Sequence, residues 1–223
     1  YKYISWLLLI MAYVDLHLHT PYSDGSCEAK QTVRDAAEIG IDVIAITDHD
    51  HVKGYYEALK EAELWGIEVI PGVEISTPKY HILGYNFDPD DYRLNELLAY
   101  SRDIQDQLVK QRIVKLQGAG IPITFEKMEQ LFPGARRGKG NLVTALLRDE
   151  ESRAVVGSIG ARGVYDAYFR EGGVARGVDP VPEVTPREAI SAIHNAGGLA
   201  FIAHPFKDVD DMEELHILRA QGI

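Results

Sequence analysis

The sequence is poor in cysteine, in basic residues and in long apolar runs. A single cysteine, Cys27, among 223 residues excludes an internal disulfide framework and any metal site built from cysteines alone. The chain has 23 basic and 34 acidic residues, a net charge of -11, which disfavours general electrostatic binding to nucleic acid. The apolar stretch from Trp6 to Val14 is too short for a transmembrane helix, which needs about 20 residues. At 46% hydrophobic, the chain still has the composition of a globular domain.

The sequence at both ends of the chain indicates where the natural protein is expected to begin and whether it is expected to continue. The first methionine is Met11, and the sequence from Met11 onward is typical of a natural start that leads into a strand. Residues 1–10 are then an extension. A signal peptide is the disfavoured alternative, because no small-residue cleavage site follows. At the other end, a helix predicted over 211–222 stops before Ile223, where an α/β fold would continue with a strand. We therefore expect the sequence to be incomplete there.

Apolar and helical segments alternate along the chain. They predict strands at 14–19, 41–47, 67–75 (interrupted at Pro71-Gly72), 81–85 and 199–203. Alternation of strands and helices implies a parallel sheet. Between the fourth and fifth strands the chain is helical and poor in strands, and Thr185 to Glu188 forms a capping box that begins the next helix. The predicted domains are the first part of a barrel at 13–88, a helical insertion or cap at 89–182, and the second part of the barrel at 183–223.

Histidines and carboxylates collect at the ends of these strands. His17 and His19 share one face of the first strand, and the second strand ends in Thr47-Asp48-His49-Asp50-His51. Glu74 ends the third strand, His81 begins the fourth, and His204 follows the fifth. Taken singly, each residue is also explained by a solvated loop or an ordinary core histidine. Together they predict a metal centre, because imidazole plus carboxylate suits Zn, Mn or Fe. Glu74 is the candidate for a carboxylate shared by two ions.

In order and spacing, these segments resemble the motifs of the PHP (polymerase and histidinol phosphatase) family. The motifs are Asp15–His19, Ser23-Asp24-Gly25, Thr47-Asp48-His49, Gly72-Val73-Glu74, His81-Ile82-Leu83-Gly84-Tyr85 and Ala203-His204-Pro205. The resemblance implies an α/β fold, a distorted seven-stranded TIM-like β/α barrel that here lacks its last strands and carries a helical insertion. It also implies two or three divalent metal ions, Mn, Fe or Zn, as cofactors.

The resemblance further implies a role for individual residues. His17, His19 and Glu74 would hold the first ion, Glu74, His81 and His204 the second, and Asp24 and His49 the third. Asp15 and Asp48 would orient these ligands from behind. The catalytic set would be His17, His19, Glu74 and His204. The family supplies two more ligands from a late Asp-x-His motif, and none follows His204 in this sequence, so the first and third sites would each lack one ligand.

A basic cluster stands out in the acidic chain. Arg136, Arg137 and Lys139 are expected to bind a substrate phosphate, and a solvated loop is an equally open interpretation. Here Gly138-Lys139-Gly140-Asn141 stands where relatives tend to have Gly-Arg-Pro-His, so Lys139 would supply charge without the bidentate fork of an arginine. Lys110, Arg112 and Lys115 are expected to form a solvated face of a long helix, and His51 is expected to be exposed.

The function that the resemblance implies is that of a metal-dependent phosphoesterase. It would use metal-activated hydroxide to hydrolyse nucleotides such as nucleoside 3′,5′-bisphosphates, or the 5′ ends of short RNA or DNA. The alternatives are a small-molecule phosphatase of the histidinol-phosphate type, a non-catalytic metal-binding module and, less favoured, a hydrolase of C–N bonds. The expected partner is a phosphorylated nucleotide or short oligonucleotide. Neither stable binding to duplex DNA nor a membrane association is expected, and the expected location is the cytoplasm.

Overall fold

The computed structural model describes residues 12–223, so Met11 and the extension before it lie outside the described residues, as does most of the stretch that begins at Trp6. Among residues 12–223, no helix combines the length and the apolar character needed to cross a membrane. The elements, in chain order, are β1 (Val14–Leu18), α1 (Ala29–Glu38), β2 (Val43–Ile46), α2 (Lys53–Trp65), β3 (Glu68–Ser76), β4 (His81–Tyr85), α3 (Tyr92–Gly118), α4 (Phe125–Leu131), α5 (Lys139–Arg148), α6 (Glu150–Val156), α7 (Gly160–Tyr168), α8 (Pro186–Asn195), β5 (Leu199–Ile202), α9 (Pro205–Asp208) and α10 (Met212–Ala220).

The five strands of the described chain form one mixed sheet in the order β1-β2-β3-β4-β5. The first three strands are parallel, and β4 is antiparallel to both β3 and β5. The prediction of a wholly parallel sheet is therefore wrong at β4. Residues 77–80 alone connect β3 to β4, and so short a connection allows a hairpin, whereas a parallel pair needs a crossover of a dozen or more residues. The α/β class is confirmed, and the seven-stranded barrel stays a prediction.

Strand β3 runs without a break through Pro71-Gly72, where an interruption was predicted. Pro71 pairs with Ile46 in the parallel ladder, and Gly72 packs against the same neighbour. A Cβ atom on Gly72 would lie 2.8 Å from the Ile46 carbonyl oxygen, so the close approach of the two backbones requires glycine here. The strand therefore delivers Glu74 to the edge of the sheet without a bend in the ladder.

Helices cover the sheet and enclose its apolar residues in two clusters. One cluster joins α1 and α2 to β2 and β3 through residues such as Val33, Ile44 and Ala58. The other joins β3, β4 and β5 to α8 and to the first half of α3. The predicted capping box is confirmed at the start of α8, where the Thr185 hydroxyl accepts from the Glu188 N–H and the Glu188 carboxylate accepts from the Thr185 N–H.

A third apolar cluster lies within the predicted insertion and contains only residues between Val109 and Ala175. Helix α3 belongs to both regions, since its Leu94 and Leu98 pack in the cluster of the sheet and its Leu116 packs in the third cluster. This long helix therefore ties the insertion to the sheet. Helices α4, α5, α6 and α7 all lie in the segment that was predicted to be helical and poor in strands. The three domain boundaries stay a prediction.

The expected solvated face of α3 is wrong for Arg112. Lys110 does lie over the ring of Phe125, 4.3 Å from its centroid, and is exposed. Arg112, however, is only 8% exposed, and its Nε atom has no hydrogen-bond partner among the described residues. It is four residues from Leu108 and four from Leu116, which places it on the buried stripe of the helix. Burial accordingly lowers the pKa of Arg112.

Replacing Arg112 with methionine is expected to stabilise the protein. Methionine fills a similar elongated volume and removes a buried charge that lacks a carboxylate partner in the described chain, so the free energy of unfolding should rise by about 1–2 kcal/mol. Urea denaturation measures this change. Arg93→Met, at an exposed position of the same helix, is the control and should change stability by less than about 0.5 kcal/mol. A loss of stability in R112M would show that the guanidinium is satisfied in solution.

Candidate metal centre

The polar residues at the strand ends converge at one edge of the sheet. His17 lies in β1 and His19 just after it, while His49 follows β2 and forms an isolated parallel bridge with Glu74 of β3. His204 follows β5 as the N-cap of α9. His81 reaches the same edge for a different reason. Because β4 is antiparallel, its first residue pairs with Ser76 at the end of β3. Reversal of one strand therefore brings a strand-initial histidine to the carboxyl ends of its neighbours.

Glu74 lies at the centre of this arrangement. Its Oε2 atom is 2.9 Å from His17 Nε2 and 3.0 Å from His19 Nε2. Its Oε1 atom is 2.9 Å from His81 Nδ1 and 3.6 Å from His204 Nε2. One carboxylate thus faces two histidines with each of its oxygens, which is the arrangement expected of a carboxylate shared between two ions.

Glu74 is buried and ionised. Its side chain is 1% exposed. Burial alone would raise the pKa of Glu74, but contacts with His17, His19 and His81, together with the nearby His49, hold that pKa well below its usual range. The carboxylate is therefore an anion at neutral pH, in a site where an unpaired charge would be costly. Positive charge is needed beside it, and protons on the imidazoles or bound cations are the two possible sources.

The surroundings of His49 show whether a metal ion fits this site. Its Nδ1 atom is buried and has no hydrogen-bond partner among residues 12–223, and it lies 3.7 Å from Glu74 Oε2. Burial holds the pKa of His49 well below its ordinary value, so its imidazole is neutral and keeps a lone pair. A buried, unpartnered nitrogen beside a carboxylate is what a metal ligand looks like without its ion. The donor set of the described chain therefore fits divalent cations.

Two trios of donor atoms could each hold an ion, with all atoms of a trio within 4.8 Å of one another. One trio is His17, Glu74 and His204, and the other is His19, His49 and Glu74. Both trios contain Glu74, whose role as a ligand shared by two ions stays a prediction. They pair His17 with His204, and His19 with His49, whereas the resemblance implied other groupings. The assignment of each ligand to one particular ion stays a prediction.

Asp24 lies at the outer rim of the cluster. One carboxylate oxygen is 3.6 Å from His19 Nδ1 and the other is 3.7 Å from His49 Nε2. Its side chain is 37% exposed, far more than that of Glu74. The predicted third site, made by Asp24 and His49, therefore lies where the cluster opens to solvent.

The two carboxylates predicted to orient the ligands occupy different surroundings. Asp48 is fully buried and accepts hydrogen bonds from the Thr20 N–H, the Thr20 hydroxyl and the Ser23 hydroxyl, at 2.6–2.7 Å. Ser23 Oγ in turn lies 3.3 Å from His19 Nδ1. Asp48 therefore orients the His19 ring indirectly, through the Ser23 hydroxyl. Burial raises the pKa of Asp48 although these three donors oppose the shift. Within residues 12–223, the one hydrogen bond that the Asp15 side chain accepts comes from the backbone N–H of His17, at 3.3 Å.

The basic cluster does not present three free cations. Arg136 is buried, donates to Asp50 Oδ2 at 3.3 Å and to Ser76 Oγ at 2.8 Å, and so lies behind the centre. Arg137 makes two hydrogen bonds to the Asp106 carboxylate. Lys139 makes no ion pair within residues 12–223 and lies over the ring of Tyr165, 5.7 Å from its centroid. Their predicted contact with a substrate phosphate stays a prediction.

Sequence reasoning missed the residues that support the site from within. Asp50 belongs to the polar run after β2, and its carboxylate holds both Arg136 and the Ser76 N–H. His51 was expected to be exposed and is instead 6% exposed, with its pKa lowered to about 4 by burial and by the nearby Arg102 and Lys53. A run of four ionisable residues after an apolar strand was the available signal. It did not show which of them turn inward, because Asp50 adopts a positive φ of 52° that reverses the local pattern.

Comparisons with known proteins agree on one family. The profile of the PHP domain matches residues 15–181. The 5′-3′ exoribonuclease Rnm of Escherichia coli (strain K12) is 32% identical over 197 residues, which are 86% of this chain and 64% of that protein. This chain thus spans less than two thirds of that relative. The 3′,5′-nucleoside bisphosphate phosphatase of Chromobacterium violaceum is 32% identical over 203 residues, 87% of this chain and 67% of that protein.

A solved structure shows the same fold. A protein from Bifidobacterium adolescentis, described as a metal-dependent phosphoesterase, superposes with a TM-score of 0.82 at 23% identity, over 95% of this chain and 75% of its own. At this identity the superposition is evidence for the fold alone. The family assignment depends instead on the matched profile, which covers most of the chain and includes the strand ends that carry His17, His49, Glu74 and His81. The chain belongs to the PHP domain family.

Proposed function

We propose that this protein is a metal-dependent phosphoesterase that hydrolyses nucleotides, such as nucleoside 3′,5′-bisphosphates, or the 5′ ends of short RNA or DNA. The observation that carries the proposal is the buried Glu74 carboxylate, which faces His17, His19, His81 and His204 with its two oxygens. A buried anion surrounded by imidazole nitrogens is suited to hold cations rather than to act as a nucleophile. The E. coli relative is named as a 5′-3′ exoribonuclease and the C. violaceum relative as a bisphosphate phosphatase, and both names favour nucleotide or RNA substrates.

The proposed cofactors are two or three divalent ions, Mn, Fe or Zn. Their ligands would be His17, His19, Asp24, His49, Glu74, His81 and His204. When bound, such ions offset the charge of a phosphate ester and lower the pKa of water to about 7.

The side chains of this protein would prepare that chemistry. Glu74 holds the histidine rings in place, and the chain from Asp48 through Ser23 fixes the orientation of His19. Among the basic cluster, Lys139 is the proposed direct contact to a substrate phosphate, since Arg136 and Arg137 are held by carboxylates. Arg136 contributes positive charge from behind the centre, where it helps to keep His49 neutral. A cytoplasmic location belongs to the same proposal, because nucleotides and RNA are found there.

The proposal predicts both metal content and substrate preference. We expect at least two ions per chain after growth with Mn, Fe and Zn, measured by elemental mass spectrometry, because the described residues contain two overlapping sets of ligands. We expect the loaded protein to release phosphate from adenosine 3′,5′-bisphosphate, or mononucleotides from a 5′-phosphorylated oligonucleotide, at least about tenfold faster than it releases phosphate from histidinol phosphate.

The alternatives make different predictions in the same experiment. Preference for histidinol phosphate would indicate the small-molecule phosphatase. Folded protein with bound metal but no hydrolysis of any of these substrates would indicate the non-catalytic module and would contradict the proposal. Circular dichroism of the same preparation shows whether the protein is folded.

A further inference from the structure

A groove of about 480 Å³ opens beside the metal centre, between the loop that follows β1 and the helices of the insertion. We call it the Asp24 groove and define it by six of its lining residues, Tyr22, Asp24, Lys30, Phe132, Thr144 and Arg148. Two hydrogen bonds join its walls. The Arg136 N–H donates to the Tyr22 carbonyl, and the Asn141 side chain donates to the Ser23 carbonyl at 2.6 Å. The groove is therefore a fixed feature of the way the insertion contacts the sheet.

The groove begins at the centre itself. Asp24 lines it and also lies 3.6–3.7 Å from the rings of His19 and His49. Helix α5 begins at the same point, where a Cβ atom on Gly140 would be 3.4 Å from the Asp24 carboxylate. The groove is therefore close enough to the centre to receive the remaining atoms of a ligand that has one phosphate there.

The inner walls of the groove offer flat apolar surface. Tyr22 and Phe132 are both half-buried, and Pro133 and Leu131 extend the apolar wall. The Tyr22 hydroxyl donates to Glu57, another lining residue, and this bond fixes the position of its ring. Aromatic side chains of this kind stack on nucleobases whatever the base, at about 1–3 kcal/mol per base. A nucleobase is thus a suitable occupant of the inner groove.

The groove also carries two cations without a carboxylate partner. Lys30 near the start of α1 and Arg148 at the end of α5 are exposed and form no ion pair with any residue from 12 to 223. Several other basic residues are held by carboxylates, among them Arg34 by Glu61, Lys79 by Asp210 and Arg137 by Asp106, whereas the charges of Lys30 and Arg148 stay available to a ligand. Three carboxylates, those of Asp24, Glu28 and Glu57, also line the groove, so the two cations do not make it a general anion trap. They suit a single phosphodiester at a defined distance from the base.

We propose that the Asp24 groove binds the nucleotide next to the reacting phosphate of a short single-stranded oligonucleotide. Its base contacts Tyr22 and Phe132, and its own phosphate contacts Lys30 and Arg148. This inference rests on the proposed function and adds to it a preference for a chain of nucleotides over a single phosphate ester. Because the protein has a net charge of −11, binding of an oligonucleotide depends on local positive charge such as that of Lys30 and Arg148.

The test compares a double variant, Lys30→Ala with Arg148→Ala, with the unchanged protein on two substrates. The substrates are a 5′-phosphorylated trinucleotide RNA and p-nitrophenyl phosphate, which has no second nucleotide. We expect the ratio of kcat/KM for the RNA to kcat/KM for p-nitrophenyl phosphate to fall about tenfold or more, because charge-assisted contacts to the RNA are lost. Lys60→Ala with Arg219→Ala is the matched control. It removes the same charge at exposed positions outside the groove, and its ratio should not change.

A binding measurement separates this inference from the proposed function. With EDTA present to prevent hydrolysis, fluorescence anisotropy of a labelled trinucleotide RNA is followed against salt concentration. Loss of the contacts to this one phosphate should reduce the magnitude of the slope of log K against log salt by about 0.7 in the groove variant and leave it unchanged in the control. An unchanged slope and ratio, or no RNA binding by the unchanged protein, would overturn the groove assignment. Failure of all phosphoester hydrolysis, with the slope change intact, would overturn the proposed function instead.

Discussion

Replacement of Glu74 by glutamine is expected to reduce phosphoesterase activity about a thousandfold and to leave less than one metal ion per chain. Glutamine keeps the shape and the acceptor oxygen but loses the negative charge, and with it the second anionic ligand atom facing His81 and His204. Metal ions stabilise several kcal/mol of charge in phosphoryl transfer, which corresponds to a loss of this size. Phosphate release and elemental mass spectrometry of the same preparation measure both effects.

Glu68→Gln is the matched control for this variant. Glu68 is the first residue of the same strand, is exposed, and lies at the end of the strand far from the metal centre. Its substitution should therefore change neither the phosphoesterase activity nor the number of bound metal ions. Metal-free E74Q should stay folded by circular dichroism, but its melting temperature should fall, because the histidine contacts that hold the pKa of Glu74 low also stabilise the folded protein. An E74Q protein with full activity and two bound ions would refute the central role of Glu74.

Replacement of Arg136 by methionine is expected to lower the free energy of unfolding by about 3–5 kcal/mol. Arg136 and Asp50 form a buried ion pair at 3.3 Å, in which the Asp50 side chain is fully buried. Removing the arginine leaves the carboxylate buried with the Ser76 N–H as its remaining donor among the described side-chain contacts. An uncompensated buried charge has a cost of this order. Urea denaturation followed by circular dichroism measures the loss.

Two further variants test the physical reason. Adding Asp50→Asn to R136M removes the orphaned charge and should recover more than half of the lost stability, whereas two independent side-chain effects would simply add. Arg137→Met breaks the less buried pair with Asp106 and should cost about 1 kcal/mol. If R136M proved no more damaging than R137M, the burial of the Arg136 pair would be contradicted. The Asp50 N–H also donates to the Glu74 carbonyl at 2.9 Å, so R136M should weaken metal binding as well.

The residues of the centre were predictable because their signal is local. Parallel strands end at one edge of a sheet, so polar residues directly after apolar runs meet there whatever the rest of the fold does. His19, His49 and His204 follow this rule directly, and His17 and Glu74 lie among the last residues of their strands. Period-two alternation placed His17 and His19 on one face, and the position of Glu74 at the end of the third predicted strand made it the candidate for a shared ligand. The capping box at Thr185 was predictable for a similar reason, since it depends on four consecutive residues.

Other features depend on contacts between distant segments, which no local pattern encodes. His81 joins the centre because the short connection after β3 forces an antiparallel hairpin. Arg136 lies behind the centre rather than over it, because Asp50 and Ser76 from the sheet bind its guanidinium across 86 and 60 residues of sequence. The burial of Arg112 and His51, and the groove between Asp24 and Arg148, likewise follow from how the insertion packs on the sheet. Strand ends and helix caps are thus set by neighbouring residues, whereas burial, charge pairing and the shape of the cleft depend on which surfaces meet.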